Sequence, residues 1–328
     1  MAAELPTFIP RDGQLLATPP IKMETTLYMF VLDADWDKLN QMCDRYLNLG
    51  GPTIYRPILP GLILYCSYAR SSPTANPIGW CPEKDFGFWV PVVAGHYEGP
   101  LFIPERILVF TPYLWVDSGV AMVGGREVYG FPKAYGVMTM PATTDDPAVF
   151  TVDTQVIPRE GPNAEVVQRR ILEVGKTGGG LWDELKTLWQ SGESILGAVE
   201  ELLTRLLSGH ARLPIPNPLM LLNLLRNIGK QLPMVFLKQF PAIEQGDKAC
   251  YQAIVEAPIA ITSGVTGGFL GGEYGITLHS FDSHQITDNL GLQPASQNGD
   301  AATMKSLGQG WVKFDARVDG GTIVWQRP

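Results

Sequence analysis

The sequence predicts an α+β fold, a β-rich body interrupted once by a helical segment, on three observations. Short apolar runs alternate with Pro, Gly and Asn clusters between 53 and 150, which is the mark of short strands joined by turns in an antiparallel sheet or barrel. After Glu165, leucines recur at helical spacing. Beyond Pro233 strand-like runs return. A chain of 328 residues can bury a substantial core in one large domain or two ordinary ones, and a composition 45% hydrophobic and 18% charged is that of a globular protein.

Residues 1–20 contain prolines with little periodicity and read as an extended arm. The run Thr26-Leu27-Tyr28-Met29-Phe30-Val31-Leu32 has strand composition, and the residues that follow from Asp35 have an acidic start and helical spacing. Further strands are expected at 62–66, 88–93 and 107–110. Two amphipathic helices follow from Leu181, Leu185, Leu188 and Trp189, and from Ile195, Leu196, Val199, Leu202, Leu203, Leu206 and Leu207. A Pro-rich break, with Asn217 as cap and Pro218 as first helical residue, leads to a third helix at 219–228. Strands are expected again at 234–240, 249–255, 274–281, 310–315 and 322–325. The organisation is thus an arm at 1–20 and a single domain at 21–328, interrupted by a helical insertion at about 166–232, far longer than an ordinary connection.

Charge and cysteine usage remove whole classes of function. A net charge of −8 with no basic stripe argues against nucleic acid and against an anionic membrane surface. Cys43, Cys66, Cys81 and Cys250 lack CxxC spacing, so zinc and dithiol readings fall away. His279 and His284 alternate to opposite faces of a strand with no third ligand evident, and no metal is expected. The start, Met1-Ala2-Ala3-Glu4-Leu5-Pro6, has no secretory pattern, and no uncharged stretch reaches the length needed to cross a bilayer, so a cytoplasmic protein is expected.

The informative segment is Gly124-Gly125-Arg126-Glu127-Val128-Tyr129-Gly130-Phe131-Pro132-Lys133. A lysine after a turn proline is by default a surface residue. A buried one is different, because desolvation lowers the ammonium pKa and the neutral amine attacks carbonyl carbon to form a Schiff base.

This segment resembles the active-site stretch of the acetoacetate decarboxylase superfamily, in which an Arg-Glu pair precedes an aromatic-Pro-Lys triplet. Tyr113-Leu114-Trp115-Val116-Asp117 and Phe236-Leu237-Lys238-Gln239-Phe240-Pro241 are similar to further family strands. The resemblance implies a cone-shaped antiparallel β-barrel, here with an inserted helical segment, and Lys133 as the imine-forming nucleophile. Aligning Pro91-Val92 with the family's Pro-Val strand brings Asp85 onto the main active-site carboxylate, and Glu83 shares its face if the segment is extended. The polar, proline-started stretch at 81–85 reads equally well as a solvated turn. Arg126 and Glu127 are expected to organise the lysine strand, with Glu127 as a further catalytic candidate. Arg126, Tyr129, Phe131 and Tyr113 are the substrate-binding candidates, and Tyr129, Phe131 and Tyr135 are expected to desolvate the amine.

Departures from the family pattern redirect the substrate. The cation that follows the family's nucleophile is replaced by Ala134, its N-terminal arginine falls near Thr25, and its second glutamate near Tyr65. Desolvation must then carry most of the lowering of the Lys133 pKa, and acetoacetate itself is not the expected substrate. The resemblance implies a lyase acting on a keto acid or related small-molecule carbonyl compound, with no metal or organic cofactor, in a homo-oligomer. An aldolase-dehydratase of the same superfamily and a non-catalytic binding protein for a hydrophobic carbonyl ligand are the alternatives.

Overall fold

The structure is a computed structural model that describes residues 6–9, 18–74, 79–144, 146–178 and 231–327. The three helices expected between 181 and 228 lie outside the described residues.

Strand β1 (Ile21–Asp33) leads into helix α1 (Trp36–Tyr46), whose N-cap Asp35 accepts from the Lys38 N–H. Strands β2 (Ile54–Pro57), β3 (Gly61–Pro73), β4 (Cys81–Glu98), β5 (Leu101–Phe110) and β6 (Leu114–Val116) follow. The short helix α2 (Gly119–Gly124) and a π-helical turn (Gly125–Tyr129) then return the chain to β7 (Lys133–Thr139), β8 (Phe150–Val156) and β9 (Val167–Gly178). After the undescribed stretch come β10 (Gln231–Pro241), β11 (Ala249–Phe269), β12 (Glu273–His279), helix α3 (Ile286–Leu290), β13 (Ser296–Asn298), β14 (Ala301–Lys305), β15 (Gly308–Val318) and β16 (Thr322–Gln326).

Three expectations need correction. The stretch at 81–85 is the start of β4, not a solvated turn, and Glu83 and Asp85 are buried in it. The helical segment does not begin at 166, because Val167–Gly178 is a strand paired with β8 and β12. Its apolar residues Ile171, Leu172 and Val174 join the main core, and tertiary pairing outweighs a local pattern that is not periodic enough to decide. The sheet is also mixed, not wholly antiparallel, since β6 pairs β7 and β10 pairs β5 in parallel. The crossover through α2 supplies the long connection that parallel neighbours require.

Pairings run β4–β3–β1–β15–β11–β10–β5 and then back from β5 to β4. Alternation along these strands sends one set of side chains inward. On β1 these are Ile21, Met23, Thr25, Leu27 and Met29, whereas Tyr28, Phe30 and Leu32 of the opposite face enter the large core. There Phe150 lies 5.0 Å from Tyr28 and 5.8 Å from Phe30, both edge-on. From Leu27 to Leu32 strand β1 is therefore apolar at every position, because it is covered on both faces. No helix among the described residues is long and apolar enough to cross a membrane.

Candidate active site

The inward faces enclose a cavity of about 450 Å³. On the same alternation, β3 contributes Ile63, Tyr65, Ser67 and Ser71, and β4 contributes Glu83, Asp85, Trp89 and Pro91. Lys133 enters from the first position of β7, opposite Leu114 of β6, which in turn pairs with Gly87 of β4. Its backbone thus stands two strands from β4, roughly 10 Å at the usual inter-strand spacing. A long side chain is needed to close that gap.

The lysine closes it. Lys133 Nζ donates to Glu83 Oε2 at 3.0 Å and stands 3.8 Å from Asp85 Oδ1. All three side chains are nearly or fully buried, at 11%, 7% and 12% exposure. Ser67 Oγ donates to Asp85 Oδ2 at 3.3 Å, while Asp85 Oδ1 is buried with no hydrogen-bond partner. Gly125 packs against the lysine stem so closely that a Cβ there would sit 2.7 Å from Lys133 Cδ. Phe131 covers the amine, its ring centroid 5.5 Å from Nζ, and is itself pressed onto Phe236 at 3.9 Å. The π-helical turn that shapes this wall ends on Gly130, at φ 90°, whose N–H bonds to the Gly125 carbonyl together with that of Phe131.

Electrostatics overturn the expectation that desolvation leaves the amine uncharged. Burial pulls the Lys133 pKa down, but the Glu83 and Asp85 carboxylates and the Glu83 hydrogen bond outweigh it and leave it above its ordinary value. Burial and the neighbouring Glu83 charge lift Asp85 from 3.8 to about 8, against the opposing pull of Lys133 and Ser67. Below about pH 8, then, Asp85 holds its proton and the ammonium is held mainly by Glu83. Tyr65, on the same wall, is pushed well above its usual value by burial and by the two carboxylates, so its hydroxyl stays protonated.

Of the sequence-predicted residues, Lys133, Glu83, Asp85, Tyr129 and Phe131 meet at this cavity. Thr25 and Tyr65, where the family's arginine and second glutamate were expected to fall, also stand on its wall. Arg126, Glu127 and Tyr113 do not line it. The first two are exposed, because the π-helical turn points successive side chains around its axis and only Gly124, Gly125 and Tyr129 of this stretch face inward. Tyr113 stacks on Trp115 at 6.3 Å and accepts from Asn289. Tyr135 is 52% exposed and desolvates nothing. Ser67, Trp89 and Gly125 escaped the sequence reading; Trp89 was accessible to it, since it lies an even number of residues from Asp85 on one strand.

The family model for acetoacetate decarboxylase matches residues 4–157, the part of the chain that supplies Glu83, Asp85 and Lys133. Over that part the chain is similar to the acetoacetate decarboxylase family. Among solved structures, acetoacetate decarboxylase from Legionella pneumophila aligns with a TM-score of 0.57 at 15% identity, covering 97% of this chain and 92% of that one. A second acetoacetate decarboxylase structure gives 0.51 at 14% identity, covering 95% and 91%. The enduracididine biosynthesis enzyme MppR complexed with pyruvate gives 0.49 at 15%, covering 96% and 93%. No curated protein sequence matches the chain. At such identities the likeness to the first two is one of fold.

Proposed function

We propose that the protein is a Schiff-base-forming carbon–carbon lyase, with Lys133 as nucleophile, Glu83 as the base that frees it and Asp85 as the acid. The returning ring of strands is read here as the cone-shaped barrel that houses this chemistry. The observation that carries the reading is the 3.0 Å bond from Lys133 Nζ to Glu83 Oε2 inside a cavity that is otherwise almost wholly apolar.

Glu83 takes a proton from the ammonium, and the free amine adds to the substrate carbonyl carbon to give a carbinolamine. Asp85, still protonated near neutral pH, donates to the hydroxyl, which departs as water and leaves a protonated imine. The imine draws in the electron pair of the bond from the adjacent carbon to the leaving fragment, and an enamine results. Protonation of that carbon by Glu83 and addition of water then release the product and return the amine. A raised lysine pKa is compatible with this sequence, because the proton acceptor is within hydrogen-bond distance and the amine need be free only in the encounter. The test is borohydride reduction in the presence of a small ketone, read by intact mass. A covalent adduct on the wild type that Lys133→Ala lacks supports the reading; an equal adduct on both removes it.

A further inference from the structure

Resting on the imine chemistry above, we infer that the carbonyl compound bound at Lys133 is uncharged and carries an apolar tail with no carboxylate.

The charge inventory of the cavity leads to this. Among the described residues of its wall, Lys133 is the single cation, against Glu83 and Asp85. A substrate carboxylate here would lie desolvated beside two acidic side chains, with no arginine or second lysine to pair it, and a buried unpaired charge is strongly unfavourable. Neutral oxygen is served better. Thr25 Oγ1, on the wall, is buried and has no hydrogen-bond partner, and it can donate to an uncharged hydroxyl or carbonyl.

Shape points the same way. Register places Ile21 opposite Val318, and Val318 opposite Ile259, four residues along β1 from Thr25. At the rise of an extended chain this layer lies roughly 13 Å beyond the polar pole. Between them stand Met23 and Ile261, both opposite Ala316, and Val109 and Met234 pack in one cluster with Ile21 and Val318. The arm is long enough for an alkyl or alicyclic tail and offers a carboxylate nothing. Thr262, Ser263 and Val265, which flank the register slips of β11 on either side of Ser263, line the cavity and are exposed.

Proton accounting agrees. Take an uncharged β-hydroxy carbonyl compound. Asp85 gives its proton to form water at the imine stage, then recovers one from the β-hydroxyl as the carbon–carbon bond breaks and a neutral aldehyde leaves. Glu83 passes the proton it took from Lys133 to the enamine carbon, and hydrolysis restores the ammonium. Each group ends as it began. Loss of carbon dioxide would instead leave Asp85 without its proton, to be refilled from solvent.

Three ketones of equal length make the test on the wild-type protein: 2-decanone, 4-oxodecanoate with its carboxylate near the carbonyl, and 9-oxodecanoate with it at the far end. Each is titrated under cyanoborohydride and the adduct is read by intact mass. The expected result is half-maximal trapping by 2-decanone at a concentration at least about tenfold below that of either acid. Equal or better trapping of either acid overturns the inference and leaves imine formation standing. Absence of any adduct, from these three and from acetone, overturns both.

Discussion

Asp85 and Ser67 face one another across the β3–β4 pair, and the single hydrogen bond between them at 3.3 Å satisfies only one of the two carboxylate oxygens. The other oxygen, Oδ1, is buried, unpartnered and 3.8 Å from the Lys133 amine. An oxygen left in that state favours the protonated acid, and this is why one carboxylate of the pair is suited to give a proton while Glu83, bonded to the ammonium, is suited to take one.

Stability should therefore fall with pH in the variant-free protein. A group whose folded pKa is raised favours the folded state below its unfolded value and loses that contribution as pH rises through the folded value. For Asp85 the window runs from 3.8 to about 8. Lys133, also raised, loses its contribution only above 10.5 and does not overlap. Asp85→Asn should match the wild type in denaturant midpoint near pH 4 and exceed it near pH 9. A variant that is no more stable at the alkaline end contradicts the raised pKa.

Removing the proton acceptor should slow imine formation without abolishing it. Glu83→Gln keeps the shape and a hydrogen bond but cannot hold a proton, so the trapping rate near neutral pH should drop by about 10²- to 10⁴-fold, the usual range for a general base. The deficit should shrink as pH rises, because solvent then frees the amine unaided. A deficit that is constant with pH would mean that Glu83 only positions the lysine.

Gly125 gives the lysine stem its room. A Cβ there meets Lys133 Cδ at 2.7 Å and Cε at 3.0 Å, so Gly125→Ala must swing the amine away from Glu83. Trapping should be lost almost as completely as in Lys133→Ala, at a stability cost of about 1–3 kcal/mol, typical of overpacking. Calorimetry and adduct mass on the same sample check both halves; full trapping in the alanine variant would show that the stem has another path.

Gly130 is needed for a different reason. Its φ of 90° is strained for any other residue, and a Cβ would meet Lys238 Cα at 2.6 Å. Gly130→Ala should lower the midpoint of thermal unfolding by an amount corresponding to more than about 1 kcal/mol, since backbone strain and a backbone clash add. Little or no shift would mean that the π-helical turn tolerates rearrangement.

Much of the chain was legible before folding. Short apolar runs between turn residues announced β1, β3, β4 and β5, the acidic start at Asp35 announced α1, and the wording from Arg126 to Lys133 singled out the lysine that reaches the cavity. Those signals are local, because strand alternation, caps and short motifs are written in neighbouring residues. The strand at Val167–Gly178 was not legible, since its apolar face is defined by what it packs against in β8 and β12.

The sequence by itself determined that one lysine, two carboxylates and an apolar strand-rich body belong together. Only the tertiary structure decided that Glu83, not Asp85, bonds the amine, that Arg126, Glu127 and Tyr113 stand aside, and that Lys133 is held charged by its bond to Glu83 instead of being kept neutral by dryness. The reason is physical. Residue types are fixed along the chain, but a pKa depends on which charges arrive within a few ångströms from strands fifty residues apart, and that distance exists only once the strands have paired.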